Sequence, residues 1–338
     1  MNDKVVIAID AMGGENAPKK NIEGLGLFLK ANKNKDDYFF KIYGDEQKII
    51  KELNKNNIKK DKIEILNTLT VVSDDETPLT AIKNSKNSSM WNSINSQIVS
   101  GANISLSAGN TGVLFVISRM LLKTIDKVSK PALAGIWPNK KGVSVVLDLG
   151  ANIECDENNL IDFSEMGSAL YKSLYGNEKP KVSLLNIGSE EIKGNTIIKN
   201  TYQKLMEINN PLYEFHGYIE GNEIMNGEIN VIVTDGFTGN VALKTAEGTA
   251  NFITKELKKA LTSTIIGKVS SMFNAKNLRK FKNKLDPRLY NGAILLGLDK
   301  PVIKSHGSTD ALGFSNSLKV CEKTIRGNLI NKIKENII

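Results

Sequence analysis

Six apolar, β-type runs in this chain end in polar turns that carry glycine. Val5 to Ile9 leads into Asp10-Ala11-Met12-Gly13-Gly14, and Ile104 to Leu106 into Ser107-Ala108-Gly109-Asn110-Thr111-Gly112. Val143 to Leu147 leads into Asp148-Leu149-Gly150-Ala151-Asn152, and Val182 to Leu185 into Asn186-Ile187-Gly188-Ser189. Val231 to Val233 leads into Thr234-Asp235-Gly236-Phe237-Thr238-Gly239-Asn240, and Val302-Ile303 into Lys304-Ser305-His306-Gly307-Ser308. A parallel sheet gathers the carboxyl ends of its strands on one edge, and ligands bind in the crevice there. Glycine lets backbone N–H groups crowd around an anion, and a following helix adds its positive N-terminal end. The pattern predicts one anion-binding cleft lined by all six turns, and it points to phosphate chemistry.

Strand and helix alternate through the first half. Strands are expected at 5–9, Tyr38 to Tyr43 and Ile63 to Leu66, with helices near 19–32, from Thr77-Pro78 after the acidic turn Asp74-Asp75-Glu76, and from about 112 to 123. Alternation of this kind predicts a mostly parallel sheet with helices on both faces, a three-layer α/β/α architecture. No Gly-x-Gly-x-x-Gly fingerprint occurs. Gly24-Leu25-Gly26 lies inside a helical pattern and reads as helix packing rather than nucleotide binding. With 338 residues the chain has ample core for one large domain, and no repeat or low-complexity linker divides it. Two cysteines, Cys155 and Cys321, argue against a disulfide framework or a structural zinc site. The N-terminus runs almost directly into a strand, which argues against a signal peptide, and no apolar stretch approaches the length of a membrane span.

After the turn at 235–240 a long helix is expected, with Thr238 and Asn240 as suitable caps. Ala242, Leu243, Ala246, Ala250, Ile253, Leu257, Ala260 and Leu261 share one arc at helical spacing. A shorter pattern follows, with Ile265, Ile266, Val269, Met272 and Phe273 on one face. A basic stretch runs on to Lys284, and Asp286-Pro287 ends it. The net charge is +8, and between Lys255 and Lys284 nine basic residues face one acid, Glu256, a surplus equal to that of the whole chain. We read 1–338 as a single domain with a helical excursion over 255–290. Its basic face is either a solvated helix surface or a docking patch for an anionic partner or membrane. Its apolar face is either buried in a core or dimer interface, or made for an interface with lipid or an acyl chain.

The turns carry a family resemblance when taken together. Asp10 to Glu15, Ser107 to Gly112, Leu147 to Asn152 and Leu185 to Gly188 followed by Glu190-Glu191 and Lys193-Gly194-Asn195 recur in one family. So do Asp235 to Asn240, Leu243-Lys244 with Glu247-Gly248, Ser305 to Ser308, and Ser88-Ser89-Met90. In order and at these spacings, from Val5 to about Leu318, the chain resembles the phosphate acyltransferases of bacterial phospholipid synthesis. The family usually carries arginine where this chain has Lys83, which keeps the charge but not the planar fork.

The resemblance implies a fold similar to isocitrate and isopropylmalate dehydrogenases and to phosphotransacetylase. It implies that inorganic phosphate attacks the thioester of a long-chain acyl carrier protein, giving acyl phosphate and free carrier. A membrane acyltransferase then passes the acyl group to glycerol 3-phosphate. It further implies a cytoplasmic homodimer, peripherally associated with an anionic membrane surface. No cofactor, metal or nucleic-acid partner is expected. Phosphate is itself the nucleophile, so the site needs donors for a dianion and for the tetrahedral oxyanion rather than a Ser–His–Asp triad. Lys193 is assigned to phosphate or oxyanion charge. Asn240 is assigned to hydrogen bonding at the phosphate or thioester, alongside a capping role. His306 is assigned to proton transfer or phosphate donation. Phosphate or substrate contact is expected from Asp10, Gly13, Gly14, Ser88, Gly109, Asn110, Thr111, Asn152, Asn186, Gly188, Asp235, Thr238, Gly239, Gly307 and Ser308. Among these, Asp10, Asp235 and their neighbour Asp148 read as carboxylates that orient loops. Membrane or carrier contact is expected from Ile265, Ile266, Val269, Met272, Phe273, Lys276, Arg279 and Lys280.

Three other readings remain open. A dehydrogenase of the related fold would need an arginine cluster for a dicarboxylate, whereas Arg119, Arg279, Arg288 and Arg326 are dispersed. A short-chain phosphotransacetylase would use acetyl coenzyme A. A non-catalytic scaffold would bind carrier or membrane without turnover.

Overall fold

The computed structural model describes residues 4–73, 75–77, 80, 83–176, 179–208 and 210–337. The first half runs β1 (Val5–Asp10), α1 (Lys19–Ala31), β2 (Tyr38–Gly44), α2 (Glu46–Lys55), β3 (Ile63–Asn67), α3 (Ser89–Val99), β4 (Ile104–Ser107) and α4 (Thr111–Leu122). The middle contributes β5 (Ala132–Pro138), β6 (Val143–Leu147), α5 (Glu157–Tyr175), β7 (Lys181–Asn186), α6 (Thr196–Glu207), β8 (Glu214–Glu220) and β9 (Val231–Val233). Then come α7 (Gly236–Thr262), α8 (Ile265–Phe273), α9 (Ala275–Leu285), β10 (Ala293–Leu296), β11 (Val302–Lys304), α10 (Ala311–Arg326) and α11 (Leu329–Asn336). The helix expected from Thr77-Pro78 falls on positions of which several, Pro78 included, lie outside the described residues, as does Asp74 of the acidic turn.

Among the described residues, eleven strands form one sheet in the order β3-β2-β1-β4-β11-β10-β5-β6-β9-β7-β8. Both faces are covered. Val145 and Leu147 of β6 pack into one core with Phe28 of α1, Phe163 of α5 and Phe314 of α10. Val146, between them, packs into a second core with Met90 of α3, Leu114 of α4 and Leu243 of α7. Alternate residues point to opposite faces of a strand, so a continuous apolar run is the sequence of a strand buried on both sides. Gly24 does what its helical setting predicts: a Cβ there would meet Phe314 Cβ at 2.9 Å, so the glycine lets α1 close on α10.

The sheet is mostly parallel, but it is not parallel throughout. β1, β2, β3, β4 and β11 form one parallel block. β6, β7, β8 and β9 form another. Between them β10 is antiparallel to β11 and to β5, and β5 is antiparallel to β6. Three antiparallel steps reverse the polarity. The carboxyl ends of β1, β4 and β11 therefore open on one edge of the sheet, and those of β6, β7 and β9 on the other. This corrects the expectation that all six glycine turns share a single edge: they form two groups of three.

The long helix begins earlier than expected. Asp235, in extended conformation, accepts hydrogen bonds from Thr238 N at 2.8 Å and Thr238 Oγ1 at 2.8 Å and is the cap. Thr238 and Asn240 consequently lie inside the first turns of α7 and do not cap it. The 27 residues of α7 reach about 40 Å at 1.5 Å per residue. Ala242, Leu243 and Ala246 pack on the second core, while Ile253 is already exposed. The helix leaves the body, and α8 and α9 continue it as an arm in which no residue is buried.

Gly239 sits where α7 crosses the Asp148 backbone, and a Cβ there would overlap the Asp148 carbonyl oxygen. Gly239→Ala is expected to lower stability by about 1–3 kcal/mol, as overpacked sites do. Gly248→Ala, in the same helix with no atom within 4 Å of the added Cβ, is expected to raise stability by up to about 1 kcal/mol. Urea unfolding midpoints should move in opposite directions; equal effects would refute this account of the two glycines.

Candidate active site

The first group of turns surrounds the boundary between β1 and β4. The chain runs outward from β1 to β2 and β3, then returns to lay β4 on the other side of β1. That is a topological switch point, where crevices open beyond the carboxyl ends of strands. Asp10, at the end of β1, is buried and accepts from Ser107 Oγ at 2.6 Å and from Met12 N at 3.2 Å. Burial pushes its carboxyl up, and the Ser107 and Ser89 hydroxyls and the backbone of Met12 and Gly13 partly offset this. Gly13 packs so tightly that a Cβ would stand 2.6 Å from both Asp10 Oδ2 and Gly109 N. Gly14 has φ +82, and a Cβ there would meet Ala108 O, Lys20 Nζ and Gly307 O. Only glycine combines that conformation with that crowding.

Asn110 caps α4 by accepting from Val113 N at 3.1 Å, and its amide donates to Glu76 O at 3.2 Å. Thr111, the first residue of α4, is exposed. Ser88 is buried and caps α3 through Trp91 N, so its hydroxyl serves that helix start. The turn after β11 is pinned by Asn291, whose amide donates to Ser305 Oγ and whose carbonyl oxygen accepts from His306 N. Glu15 N donates to Gly307 O at 2.9 Å, joining this turn to the one after β1. Ser308 lies at His306 Nδ1, with its hydroxyl at 3.0 Å.

The second group is organised by Asp148. Its carboxylate accepts from Leu133 N, Gly150 N, Ala151 N and Asn152 N at 2.7–3.2 Å, and from Asn152 Nδ2 at 2.8 Å. Burial raises its pKa despite those five donors, which partly oppose the shift. Asn152 also donates to Pro131 O, and its own carbonyl accepts from Gly236 N. In the turn after β7, the Asn186 amide donates to the carbonyls of Gly188 and Lys193. Lys193 is exposed. Asn240 is exposed beside Gly150, where a Cβ would stand 3.4 Å from Asn240 Cβ. Asp10, Asp148 and Asp235 all orient loops through hydrogen bonds, as the sequence suggested.

Lys193, Asn240 and His306 do not come from one edge: the first two belong to the second group and His306 to the first. Helix α7 is the bridge. It leaves β9 beside Asn152 and carries Lys244 and Glu247, paired at 2.8 Å, to His306. Although His306 has surface in water, protein atoms crowd its ring. That desolvation, and then the nearby charges of Lys244, Lys304 and Lys20, hold its pKa below the ordinary value against Glu247.

Two cations at this crevice were missed by the sequence reasoning. Lys20 is buried in the first turn of α1, and its ammonium donates to Gly307 O. Lys304 is buried at the end of β11, and its ammonium donates to Ser305 O. The available signal was a lysine closing an apolar strand directly before a glycine turn. Cys155 carries a thiol that burial pushes up to about 12, which suits a packing role rather than a nucleophile.

A sheet of two parallel blocks of opposite polarity, with glycine turns at both sets of strand ends, gives the molecule the fold of the phosphotransacetylases. The phosphotransacetylase of Streptococcus pyogenes superposes with a TM-score of 0.63 over 97% of this chain and 94% of its own, at 14% identity, a likeness of fold. The family model described as fatty acid synthesis protein matches residues 5–332, and the chain belongs to that family. A phosphate acyltransferase of Pelagibacter ubique is 59% identical to it over 100% of both chains. One of Caulobacter vibrioides is 39% identical over 100% of this chain and 92% of its own.

The position of α7 makes the His306 titration a reporter of the bridge. Removing a nearby cation favours the imidazolium, so Lys244→Met is expected to raise the His306 pKa. Glu247→Gln is expected to lower it further. Because the folded pKa lies below the unfolded one, the contribution of His306 to stability is present above the ordinary value and lost as pH falls through the folded value. NMR titration of the imidazole protons checks the two signs, and shifts of the same sign would show that α7 does not face His306.

Proposed function

We propose that this protein transfers a long acyl chain from the thioester of acyl carrier protein to inorganic phosphate, releasing acyl phosphate and free carrier. The full-length match to phosphate acyltransferases carries this reading, and the geometry fits it. Phosphate oxygen attacks the thioester carbonyl carbon, the tetrahedral oxyanion collapses, and the C–S bond breaks to leave the carrier thiol. His306, held in its neutral form near pH 7, is suited to take a proton from the attacking phosphate and return it to the leaving sulfur. Asn240 and Lys193, on the second group of turns, supply donors for the oxyanion, each worth ~3–4 kcal/mol where such donors have been removed elsewhere. Gly13, Gly14, Gly109, Gly307 and Ser308 frame the phosphate side. Asn152, Asn186, Gly188, Thr238 and Gly239 shape the thioester side.

The arm is the natural partner surface. Ile265, Ile266 and Phe273 are 81%, 82% and 88% exposed, and Val269 and Met272 are exposed beside them. The structure therefore leaves this apolar face outside the core. Lys276, Arg279 and Lys280 lie on the following helix, also exposed. A basic, apolar-tipped arm suits an anionic membrane surface and an acidic carrier protein. Among the described residues, no helix is long and apolar enough to cross a membrane. The proposal extends to a cytoplasmic homodimer that rests on the membrane and hands acyl phosphate to a membrane glycerol-3-phosphate acyltransferase.

Incubation with palmitoyl carrier protein, phosphate and hydroxylamine is expected to yield palmitoyl hydroxamate only when phosphate is present. Absence of hydroxamate from folded protein would overturn the reading. Faster turnover of acetyl coenzyme A would favour the short-chain phosphotransacetylase instead.

For the arm, Phe273→Asp is expected to cut vesicle co-sedimentation at least tenfold, because burying a phenyl ring contributes about 1.5–3 kcal/mol. Turnover in solution should be unchanged. Lys276→Glu, Arg279→Glu and Lys280→Glu combined are expected to raise the KM for carrier on the order of tenfold. Unchanged vesicle binding would remove the membrane role, and an unchanged KM would move carrier docking elsewhere.

A further inference from the structure

We infer that Ser308 is a catalytic residue whose hydroxyl carries the proton between the attacking phosphate and Nδ1 of His306. The inference rests on the phosphate-transfer reading above and names the atoms through which its base acts.

The turn that holds both residues follows β11, the strand next to β4, so it borders the crevice at the β1–β4 switch point. Its backbone is tied from several sides. Ser305 N donates to Ser107 O at 2.9 Å, and Thr309 N to His306 O at 3.2 Å. His306 N donates to Asn291 Oδ1 at 2.9 Å, and Glu15 N to Gly307 O at 2.9 Å. The ammonium groups of Lys304 and Lys20 donate to the carbonyls of Ser305 and Gly307. From this fixed frame His306 and Ser308 stand exposed. Their polar atoms meet: Ser308 Oγ lies 3.0 Å from Nδ1, and Ser308 N donates to the same nitrogen at 3.3 Å.

The backbone contact selects the tautomer. A peptide N–H only donates, so Nδ1 offers its lone pair and the neutral ring carries its proton on Nε2. The other tautomer would set two N–H groups against each other. The Ser308 hydroxyl is therefore a donor toward Nδ1, and its own lone pairs stay free to accept. Desolvation and the charges of Lys244, Lys304 and Lys20, acting against Glu247, keep the imidazole neutral near pH 7, so the Nδ1 lone pair is present. Nδ1 is the ring atom that can take a proton. The group at hydrogen-bond distance from it with a proton to pass on is the Ser308 hydroxyl.

The step balances. An oxygen of hydrogen phosphate bonds to the thioester carbonyl carbon, the P–OH proton passes to Ser308 Oγ, and the Ser308 proton passes to Nδ1. When the C–S bond breaks, the proton retraces that path to the carrier sulfur. Acyl phosphate, free thiol, serine and neutral imidazole remain.

The test is steady-state kinetics of the full chain with palmitoyl carrier protein and inorganic phosphate each varied. Ser308→Ala keeps the backbone N–H and removes the hydroxyl. Its kcat is expected to fall on the order of a hundredfold, with both KM values close to those of the wild type. His306→Gln should lose as much, and the double variant no more than His306→Gln alone, because the two residues act as a unit. Ser308→Thr should recover most of the rate. In the wild type kcat should fall as pH drops through the folded pKa of His306, where Nδ1 becomes protonated, and Ser308→Ala should lack that dependence. Heteronuclear NMR of the wild-type imidazole above that pH should show the proton on Nε2. A proton on Nδ1 would overturn the inference whether or not any variant folds. So would an undiminished kcat in Ser308→Ala, or a raised phosphate KM alone, which would leave the hydroxyl as a binding group. A loss confined to His306→Gln would leave Nε2–H as a donor and overturn it too. Each of these failures leaves phosphate-dependent hydroxamate formation by the wild type intact, so the two readings fail separately.

Discussion

The antiparallel ladder β11-β10-β5-β6 is the constraint on which the rest of the molecule depends. Each parallel block alone would present three glycine turns on one edge. Joined through the ladder, the blocks point in opposite directions, so the two groups of turns open on opposite edges of the sheet. Any communication between them must run through elements that leave one edge and pass the other. Helix α7 closes the arrangement: it starts in one group of turns and lays Lys244 and Glu247 against the other. Asp148 secures the start of this bridge, since the loop it holds by four donors, with Leu133 N of β5 as a fifth, is the loop on which Gly236 is anchored.

The electrostatics of the two groups differ in a way that suits two substrates. The first concentrates positive charge, in Lys20, Lys304 and Lys244, around a histidine kept neutral. Asp10, the buried carboxyl there among the described residues, is pushed toward its protonated form. The second group uses its carboxylate internally, with Asp148 accepting from its own loop and from Leu133 N of β5. What it shows to solvent mixes charge, in Glu190, Glu191 and Lys193, with the apolar side chains of Ile153, Ile187, Ile192 and Phe237.

Much of this was legible in the sequence. The apolar runs ending in glycine turns are strands, the helix-packing role of Gly24 was visible from its setting, and the loop-holding roles of Asp10, Asp148 and Asp235 followed from their positions. What was hidden was relative direction. A six-residue apolar run has the same composition whichever way it points, and the signal that did mark direction, the short glycine-bearing connections from β5 to β6 at Asn139 to Gly142 and from β10 to β11 at Gly297 to Pro301, went unused. The six turns therefore read as one row. The cap of α7 was misplaced for a related reason: Asp235, Thr238 and Asn240 are all capable caps, and only the extended backbone at Asp235 decides between them. Lys20 and Lys304 were passed over because a lysine reads as surface in a chain rich in lysine, and burial is set by neighbours far away in sequence.

The arm raises a separate physical question, because a contiguous row of large apolar side chains exposed to water marks an interaction surface. The excess of basic over acidic residues is concentrated there, and Phe252, Ile265, Ile266, Met272 and Phe273 are all exposed. An amphipathic helix can bury its apolar stripe and keep its charges in water, so charge alone does not hold the arm away from the core. Among the described residues nothing packs over the apolar face of α8, which is left exposed beside the charges of α9. The arm is not one rod with α7: Thr264, in extended conformation, separates α7 from α8, and Asn274 separates α8 from α9. The turn at Ser263 and Thr264 therefore sets how the apolar face of α8 is presented, while α7 itself begins in one group of turns and brings the charges of Lys244 and Glu247 within reach of His306.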